Sequence, residues 1–184
     1  MLPMDVYEPD KRLTLPVSSR DHSRGHSSAR ITLVQYGDYQ CTACPVAHNR
    51  IQALQQQLAG QIRFVFRHFP QANLHSHAFH AAEAAEAAAS QKKFWQMHTH
   101  LLTHQSHLAD SDLVEYALYL SLDIEQFLHE MTADCHVVKV QEDIVSGIRS
   151  GVKMTPTFFI NGVKCNDAIG LTALVEEILK LYRS

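Results

Sequence analysis

Two cysteines, Cys41 and Cys44, stand three positions apart in the stretch DYQCTACPV, directly after a run of apolar residues. Thiols at this spacing are close enough to form a disulfide or to attack one. If Cys41 lies at the N-cap or in the first turn of a helix, the helix dipole and the unpaired N–H groups favour its thiolate. We therefore expect unequal roles, with Cys41 attacking and Cys44 resolving the mixed disulfide.

Two other interpretations of this pair are open. A structural zinc site needs four ligands, commonly from a second close pair, and neither Cys135 nor Cys165 belongs to one. Cysteines inside a helix can also be inert core residues, since a free thiol behaves as a small apolar group. Cys135 and Cys165 also have several interpretations. They could be buried and inert, form a second disulfide with each other, or act as a second redox pair.

Length and composition bound the classes of protein to consider. A chain of 184 residues with 46% hydrophobic residues suits one domain of ordinary size, or one domain with a sizeable insertion. The net charge of −3 gives no basic field for nucleic acid, and no run of lysine and arginine indicates a membrane surface. We expect no nucleic-acid partner and no insertion into a membrane.

The N-terminal segment bears on location. It contains no continuous apolar core of the kind a signal peptide has, so we expect a cytoplasmic protein from the chain as given. A removed leader would make the location periplasmic instead. Because a reducing compartment disfavours structural disulfides, a close pair there is more often catalytic or metal-bound.

The order of predicted elements is β-α-β, a helical block, then β-β-α. We predict an N-terminal extension over 1–28, partly ordered around Leu13–Val17, and the first half of the sheet domain over 29–70. A helical insertion follows over 71–150, and 151–184 completes the sheet domain. Both halves can share one four-stranded sheet, since a strand–helix–strand unit pairs its strands in parallel.

Local patterns place the elements of the first half. Ile31–Tyr36 is apolar and β-branched and predicts a buried strand, and Ile62–Pro70 predicts a second. Between them the sequence predicts a helix from Pro45 to about Leu58. Its apolar face is formed by Val46, Ile51, Leu54 and Leu58.

The insertion and the second half carry further signals. Asp110 and Ser111 are good N-cap candidates for one helix of the insertion, and Asn161-Gly162 predicts a tight hairpin turn. We expect the aromatic core of the insertion to contain Phe79, Phe94, Trp95, Tyr116 and Tyr119. The predicted apolar face of the final helix consists of Leu171, Leu174, Val175, Ile178, Leu179 and Tyr182.

The motifs GDYQC before the second cysteine and TPTFFINGV near the end resemble the DsbA-like branch of the thioredoxin superfamily. The resemblance spans nearly the whole chain. It implies an α/β thioredoxin-like fold with a central mixed sheet and an inserted all-helical subdomain. It also implies a nucleophilic Cys41, a resolving Cys44, a cis-proline at Pro156, and a Thr155 backbone that pairs with a bound peptide.

The chain departs from that family at three modulating positions. Strongly oxidising members have proline and histidine where this chain has Thr42 and Ala43, and Ala43 offers the Cys41 thiolate neither charge nor hydrogen bond. We therefore expect a less depressed pKa at Cys41 and a less oxidising disulfide. Gln35 replaces a glutamate that many relatives carry, and an amide cannot move a proton for the buried cysteine.

The leading hypothesis is a thiol:disulfide oxidoreductase that exchanges with cysteines of proteins or small thiols and is recycled by a redox protein or glutathione. Its only redox group would be its own disulfide, without cofactor or metal. The alternatives are a peptide-binding module with incidental redox activity and a glutathione-dependent isomerase or transferase. The clustered histidines permit metal binding, but we expect them to be solvated or hydrogen-bonded: His75, His77, His80, His98, His100, His104 and His107.

Overall fold

The computed structural model describes residues 7–183, with side chains from Lys11 onward. The strands are β1 (Tyr7–Arg12), β2 (His22–Arg24), β3 (Ile31–Gly37), β4 (Ile62–His68), β5 (Thr157–Ile160) and β6 (Val163–Cys165). The helices are α1 (Cys44–Gln57), α2 (Ala78–Ser90), α3 (Phe94–Thr103), α4 (Asp110–Tyr119), α5 (Ile124–Thr132), α6 (Val137–Arg149) and α7 (Leu171–Arg183).

One mixed sheet joins both halves of the chain in the order β1-β6-β5-β3-β4-β2. Strands β3 and β4 pair in parallel around α1, whereas β5 pairs antiparallel with β3 and with β6. The turn between β5 and β6 has positive φ at both Asn161 and Gly162, the conformation that such a turn requires. The predicted fold class, α/β with a central mixed sheet and an inserted run of helices, is confirmed.

The N-terminal segment makes the sheet wider than the four strands that the sequence suggested. β1 adds antiparallel to β6 at one edge, and β2 adds antiparallel to β4 at the other. The predicted partial order around Leu13–Val17 is also present, since the Leu13 N–H donates to the carbonyl of Gly162. The polar composition of this segment fits edge strands, in which charged side chains protect the unpaired outer edge.

The two faces of the sheet bury different clusters, because neighbouring residues of a strand point to opposite sides. Leu33 lies in the larger cluster, which contains buried residues of α1 and α7 and most of the insertion. Val34 lies in a smaller cluster on the other face, beneath α6. There Gly147 permits close approach, because a Cβ at this position would stand 2.8 Å from the ring of Phe69.

Two residues that the sequence analysis assigned to apolar helix faces are exposed to solvent. Val46 of α1 is 54% exposed, while Ala47, Ile51 and Leu54 are buried. In α7 the predicted core position Tyr182 is 43% exposed. In both helices the sheet covers a narrower face than the run of apolar residues suggested.

The insertion also corrects two predictions. Tyr119 is 73% exposed rather than part of a core, whereas Phe94 and Tyr116 are buried as expected. The N-cap of α4 is Ala109, and the carboxylate of Asp112 caps the helix by accepting from the Ala109 N–H at 2.9 Å. Within 7–183, the helices are too short or too polar to cross a lipid bilayer.

A buried ion pair attaches the N-terminal segment to the sheet. The Arg67 guanidinium is fully buried and donates from Nε to Oδ1 of Asp21 at 2.7 Å and from Nη2 to Oδ2 at 3.1 Å. It also donates to the carbonyls of Leu15 and Pro16 and to the Tyr36 hydroxyl. Burial alone would raise the pKa of Asp21, but the hydrogen bonds from Arg67 and from the Ser18 N–H, together with the charges of Arg67 and Lys139, lower that pKa.

This geometry predicts that Asp21→Ala destabilises the protein by about 3 kcal/mol, because it leaves a buried guanidinium without its counter-charge. Urea denaturation measures the change in the free energy of unfolding. The matched control is Glu142→Gln, which breaks the exposed pair between Arg20 and Glu142 at 3.1 Å. That change should cost less than about 1 kcal/mol, and equal losses in the two variants would contradict the prediction.

Candidate active site

The two cysteines of the motif lie where β3 passes into α1. Cys44 is the first residue of α1 and Ala43 its N-cap, so Cys41 precedes the helix by one turn. The Cys44 N–H donates to the Cys41 carbonyl at 3.1 Å, and the Cys41 N–H donates to the Asp38 carbonyl at 3.2 Å. Cys41 is 7% exposed and Cys44 is fully buried, which gives the two thiols unequal access to solvent.

The surroundings separate the acidities of the two thiols. A hydrogen bond from the Cys44 thiol, followed by donors at Thr155 and the backbone of Ala43 and Cys44, lowers the pKa of Cys41 to about 6 despite its burial. The same hydrogen bond and complete burial raise the pKa of Cys44 well above its ordinary value. At neutral pH Cys41 is therefore largely a thiolate and Cys44 a thiol.

The loop before β5 brings the other predicted site residues to this turn. The Thr155–Pro156 peptide bond is cis. The Cys41 Sγ lies 3.1 Å from the Thr155 carbonyl oxygen, to which its thiol donates in the protonated form. Thr42 and Ala43 are exposed between the two cysteines.

Gln35 is buried within β3 at 1% exposure. Its Nε2 has no hydrogen-bond partner among the described residues and lies against Gly37. An amide in this place neither accepts nor releases a proton near neutral pH. Gln35 therefore fills space within the core and does not transfer a proton.

Two supporting residues were not found from the sequence. The buried carboxylate of Asp38 accepts from the N–H of Gln40, from the N–H of Gln71 and from Nδ1 of His75, at 2.7 to 2.8 Å. Gln105, between α3 and α4, donates to the carbonyls of Tyr39 at 2.6 Å and Cys41 at 2.9 Å. Asp38 lies three residues before Cys41, so its position in the sequence could have indicated a supporting role. No sequence pattern around Gln105 indicates its contact with the motif.

A groove of about 280 Å³ opens beside Ala43 and the Thr155–Pro156 loop. Its walls are mainly apolar and include Phe158, Leu171 and Leu174. Cys165 lines it as well, with burial raising its pKa to about 12, so it remains a thiol. Cys135 is exposed between α5 and α6, and all four cysteines are free in this structure.

A buried cluster that the sequence did not reveal lies where strands β2 and β4 meet the helical insertion. Nε2 of His22 and Nε2 of His68 each lie 2.8 Å from Oε1 of Glu86, and Lys139 Nζ lies 4.0 Å from the same oxygen. Burial opposes the charge of Glu86, but the hydrogen bonds from both histidines hold its pKa well below the ordinary value.

The ligand atoms of His22, His68 and Glu86 lie close enough together to be considered as a metal site. A metal ion there would take both Nε2 atoms and leave Nδ1 of His68 as a buried donor. That atom has no hydrogen-bond partner among the described residues, whereas ligating histidines normally have one. The arrangement therefore fits a hydrogen-bonded carboxylate better than a metal site.

The remaining histidines of the clustered region separate in space. His98 is buried, and its Nδ1 lies 3.0 Å from the Tyr39 hydroxyl. The rings of His100 and His104 stack at 4.2 Å on the surface of α3. His75 contacts Asp38, and His80 pairs with Asp110 at 2.8 Å.

Comparison with protein families shows what the chain is similar to. The family model described as Thioredoxin matches residues 18–180. A Na(+)/H(+) antiporter NhaA 1 of Salinispora arenicola is 40% identical over 171 residues, which cover 92% of this chain and 26% of that protein. A second antiporter, NhaA of Herminiimonas arsenicoxydans, is 36% identical over 85% of this chain and 25% of its own length. The chain thus spans about a quarter of these relatives.

Solved structures share the fold at low sequence identity. A thioredoxin-like oxidoreductase from Silicibacter pomeroyi superposes with a TM-score of 0.78 at 22% identity, over 91% of this chain and 95% of that one. Oxidised BdbD from Bacillus subtilis gives 0.77 at 20% identity, over 95% and 99%. Alpha-DsbA1 from Wolbachia pipientis gives 0.76 at 21% identity, over 92% and 94%. These likenesses show a DsbA-like thioredoxin fold.

The hydrogen bonds at Cys41 predict how its reactivity depends on pH. In a Cys135→Ser background, which removes the exposed thiol, the alkylation rate of Cys41 by iodoacetamide should rise with a midpoint near pH 6. Cys44→Ala should move the midpoint upward because it removes the main donor to the thiolate, whereas Cys44→Ser retains a donor and should move it less. A midpoint that is unchanged in Cys44→Ala would contradict this assignment.

Proposed function

Because the chain belongs to the thioredoxin family, we propose that it is a thiol:disulfide oxidoreductase that cycles Cys41-Thr42-Ala43-Cys44 between dithiol and disulfide. The observation that carries this proposal is the pair of opposed acidities at the start of α1. Cys41 has a pKa of about 6, while Cys44 is fully buried with a raised pKa. This combination supplies a nucleophile and a protected resolving thiol.

In the reducing direction, the Cys41 thiolate attacks a substrate disulfide and releases one substrate sulfur as a thiolate. Cys44 then loses its proton and attacks Cys41 in the mixed disulfide, which releases the second substrate thiolate. The substrate disulfide gains two electrons and the enzyme forms the Cys41–Cys44 bond. In the oxidising direction the same steps run backwards, and Cys41 is a good leaving group because its thiolate is stabilised.

The acidity of Cys41 supports a redox behaviour of the pair that is intermediate between two references. Strongly oxidising relatives reach a thiol pKa of about 3.5 and thioredoxin about 7, whereas Cys41 has about 6. The pKa of Cys41 is lowered mainly by the hydrogen bond from Cys44, and the exposed Ala43 adds only the smaller effect of its backbone N–H. We propose a disulfide of intermediate potential with no cofactor or metal in the cycle.

The groove beside Thr155 and Pro156 supports cysteine-containing proteins as substrates. A peptide strand adding to the Thr155 backbone would present its cysteine to Cys41 and rest neighbouring apolar side chains against Leu171 and Leu174. Glutathione or a redox protein would recycle the pair. The antiport activity in the names of the longer relatives belongs to those proteins, and the cytoplasmic location stays a prediction.

A peptide-binding module remains the second candidate because of Gln35. This residue is buried and cannot titrate, so it offers no proton acceptor for the resolving step. In that case the groove would hold a client and exchange would be incidental. Binding without Cys41 separates the two functions.

The test is equilibration in glutathione buffers followed by thiol alkylation and mass measurement, together with turnover of a mixed-disulfide substrate. We expect a Cys41–Cys44 disulfide that forms at a defined potential and turnover that Cys41→Ser abolishes. Cys135→Ser is the matched control and should leave both unchanged, since this thiol lies outside the site. If the pair does not oxidise at any glutathione ratio and Cys41→Ser still binds its client fully, the protein is a binding module and not an enzyme.

The groove makes a separate prediction. Leu171→Asp should slow exchange with a protein substrate about tenfold, since it removes an apolar contact from the groove wall. Exchange with glutathione should be unchanged, and an acidic residue at the first position of α7 suits the helix dipole. Val138→Asp, at an exposed position of α6, is the control. Equal slowing with both substrates would argue against a peptide groove.

A further inference from the structure

A second cavity, of about 360 Å³, lies in the helical insertion between α2, α4 and α5. Its volume falls in the range of small-molecule sites, about 300 to 1,000 Å³. Leu113, Phe127 and Met131 supply apolar walls, the first two of them almost completely buried. None of these residues lines the groove beside the cysteines, so the thiol chemistry does not account for the cavity.

The polar groups of this cavity are strongly biased toward negative charge. Glu83, Asp110 and Asp134 all line it, with His80 as the fourth charged or titratable side chain. His80 Nδ1 lies 2.8 Å from Oδ1 of Asp110, and both side chains are exposed at the rim. His80 is thus the partner of Asp110, whereas no ion pair to Glu83 or Asp134 occurs among the described residues.

Glu83 is the unusual member of the group. It is only 3% exposed, and its Oε1 is buried without a hydrogen-bond partner among the described residues. Glu86, one turn later on the same helix, is also buried but accepts from both His22 and His68. A buried carboxylate normally has such partners, because an unpaired one is costly.

The contrast between these two glutamates points to a missing partner inside the cavity. Burial is the largest influence on Glu83 and raises its pKa, while His80 and His136 lower it and Asp134 and Asp110 raise it. A bound cation would restore the charged form by supplying the donor that the protein lacks. The apolar walls require that the cation carry a hydrocarbon body.

We propose that this cavity binds a small alkylammonium ion, with the ammonium group donating to Glu83 and the hydrocarbon chain packed against Leu113, Phe127 and Met131. Asp134 and Asp110 add longer-range attraction at the rim. A metal ion is a poorer occupant, because the cluster of metal-ligating atoms found within 7–183 lies elsewhere, at His22, His68 and Glu86. The site is separate from the cysteine pair, and its occupation does not depend on the thiol chemistry.

The experiment is a titration of the reduced full chain with hexylammonium chloride, followed by calorimetry and by NMR shifts of residues around the cavity. We expect saturable binding that perturbs signals at Leu113 and Phe127. 1-Hexanol, which has the same chain without the charge, should bind at least about tenfold more weakly, because the charge-assisted hydrogen bond is lost.

Variants locate the charge that binds. Glu83→Gln should weaken hexylammonium binding at least about tenfold, and it should fold because it removes a buried charge without a partner. The second variant is Asp134→Asn, for which we expect a smaller loss of affinity than for Glu83→Gln. Asn is tolerated at this position because it adopts a φ of +50° readily. Glu115→Gln removes an exposed carboxylate from α4 outside the cavity and should leave affinity unchanged.

Three results would overturn the proposal. They are the absence of saturable hexylammonium binding, equal affinities for hexylammonium and hexanol, and an unchanged affinity in Glu83→Gln. Because turnover by Cys41 is measured separately, failure here leaves the proposed oxidoreductase function standing, and failure of that function leaves this site standing.

Discussion

The proposed thiol chemistry depends on how the sulfur of Cys41 is held at the start of a helix. The neighbouring thiol of Cys44 donates to it, and backbone N–H groups at Ala43 and Cys44 add to the same effect. These donors outweigh the burial that would otherwise disfavour a charged sulfur. The rest of the candidate site keeps this turn in place and limits access to Cys44.

The helical insertion takes part in that support. Gln105 from the insertion donates to two carbonyls of the motif turn, and Asp38 ties the end of β3 to the segment that leads into α2. The turn is thereby fixed from the sheet on one side and from the insertion on the other. A rigid turn matters because thiolate stabilisation depends on donors that stay within hydrogen-bond distance.

Buried charge is treated in three different ways in the fold. Arg67 meets Asp21 in a bidentate pair that attaches the N-terminal segment to the sheet. Glu86 accepts from two histidines and is stabilised in its ionised form. Glu83 alone of these buried acids has an oxygen without a hydrogen-bond partner among the described residues, and it is the one that faces an open cavity. Stability explains the first two arrangements and a ligand explains the third.

Local sequence determined the order of elements, the position of Cys41 and Cys44 at a strand–helix junction, and the Asn161-Gly162 turn, since periodicity and turn chemistry act over a few residues. Only the tertiary structure decided that the N-terminal segment adds two edge strands, that Val46 and Tyr119 face solvent, and that Gln105 reaches the motif turn. The meeting of His22, His68 and Glu86 is of the same kind. These outcomes depend on contacts between residues far apart in the chain, and such contacts leave no periodic trace in the sequence.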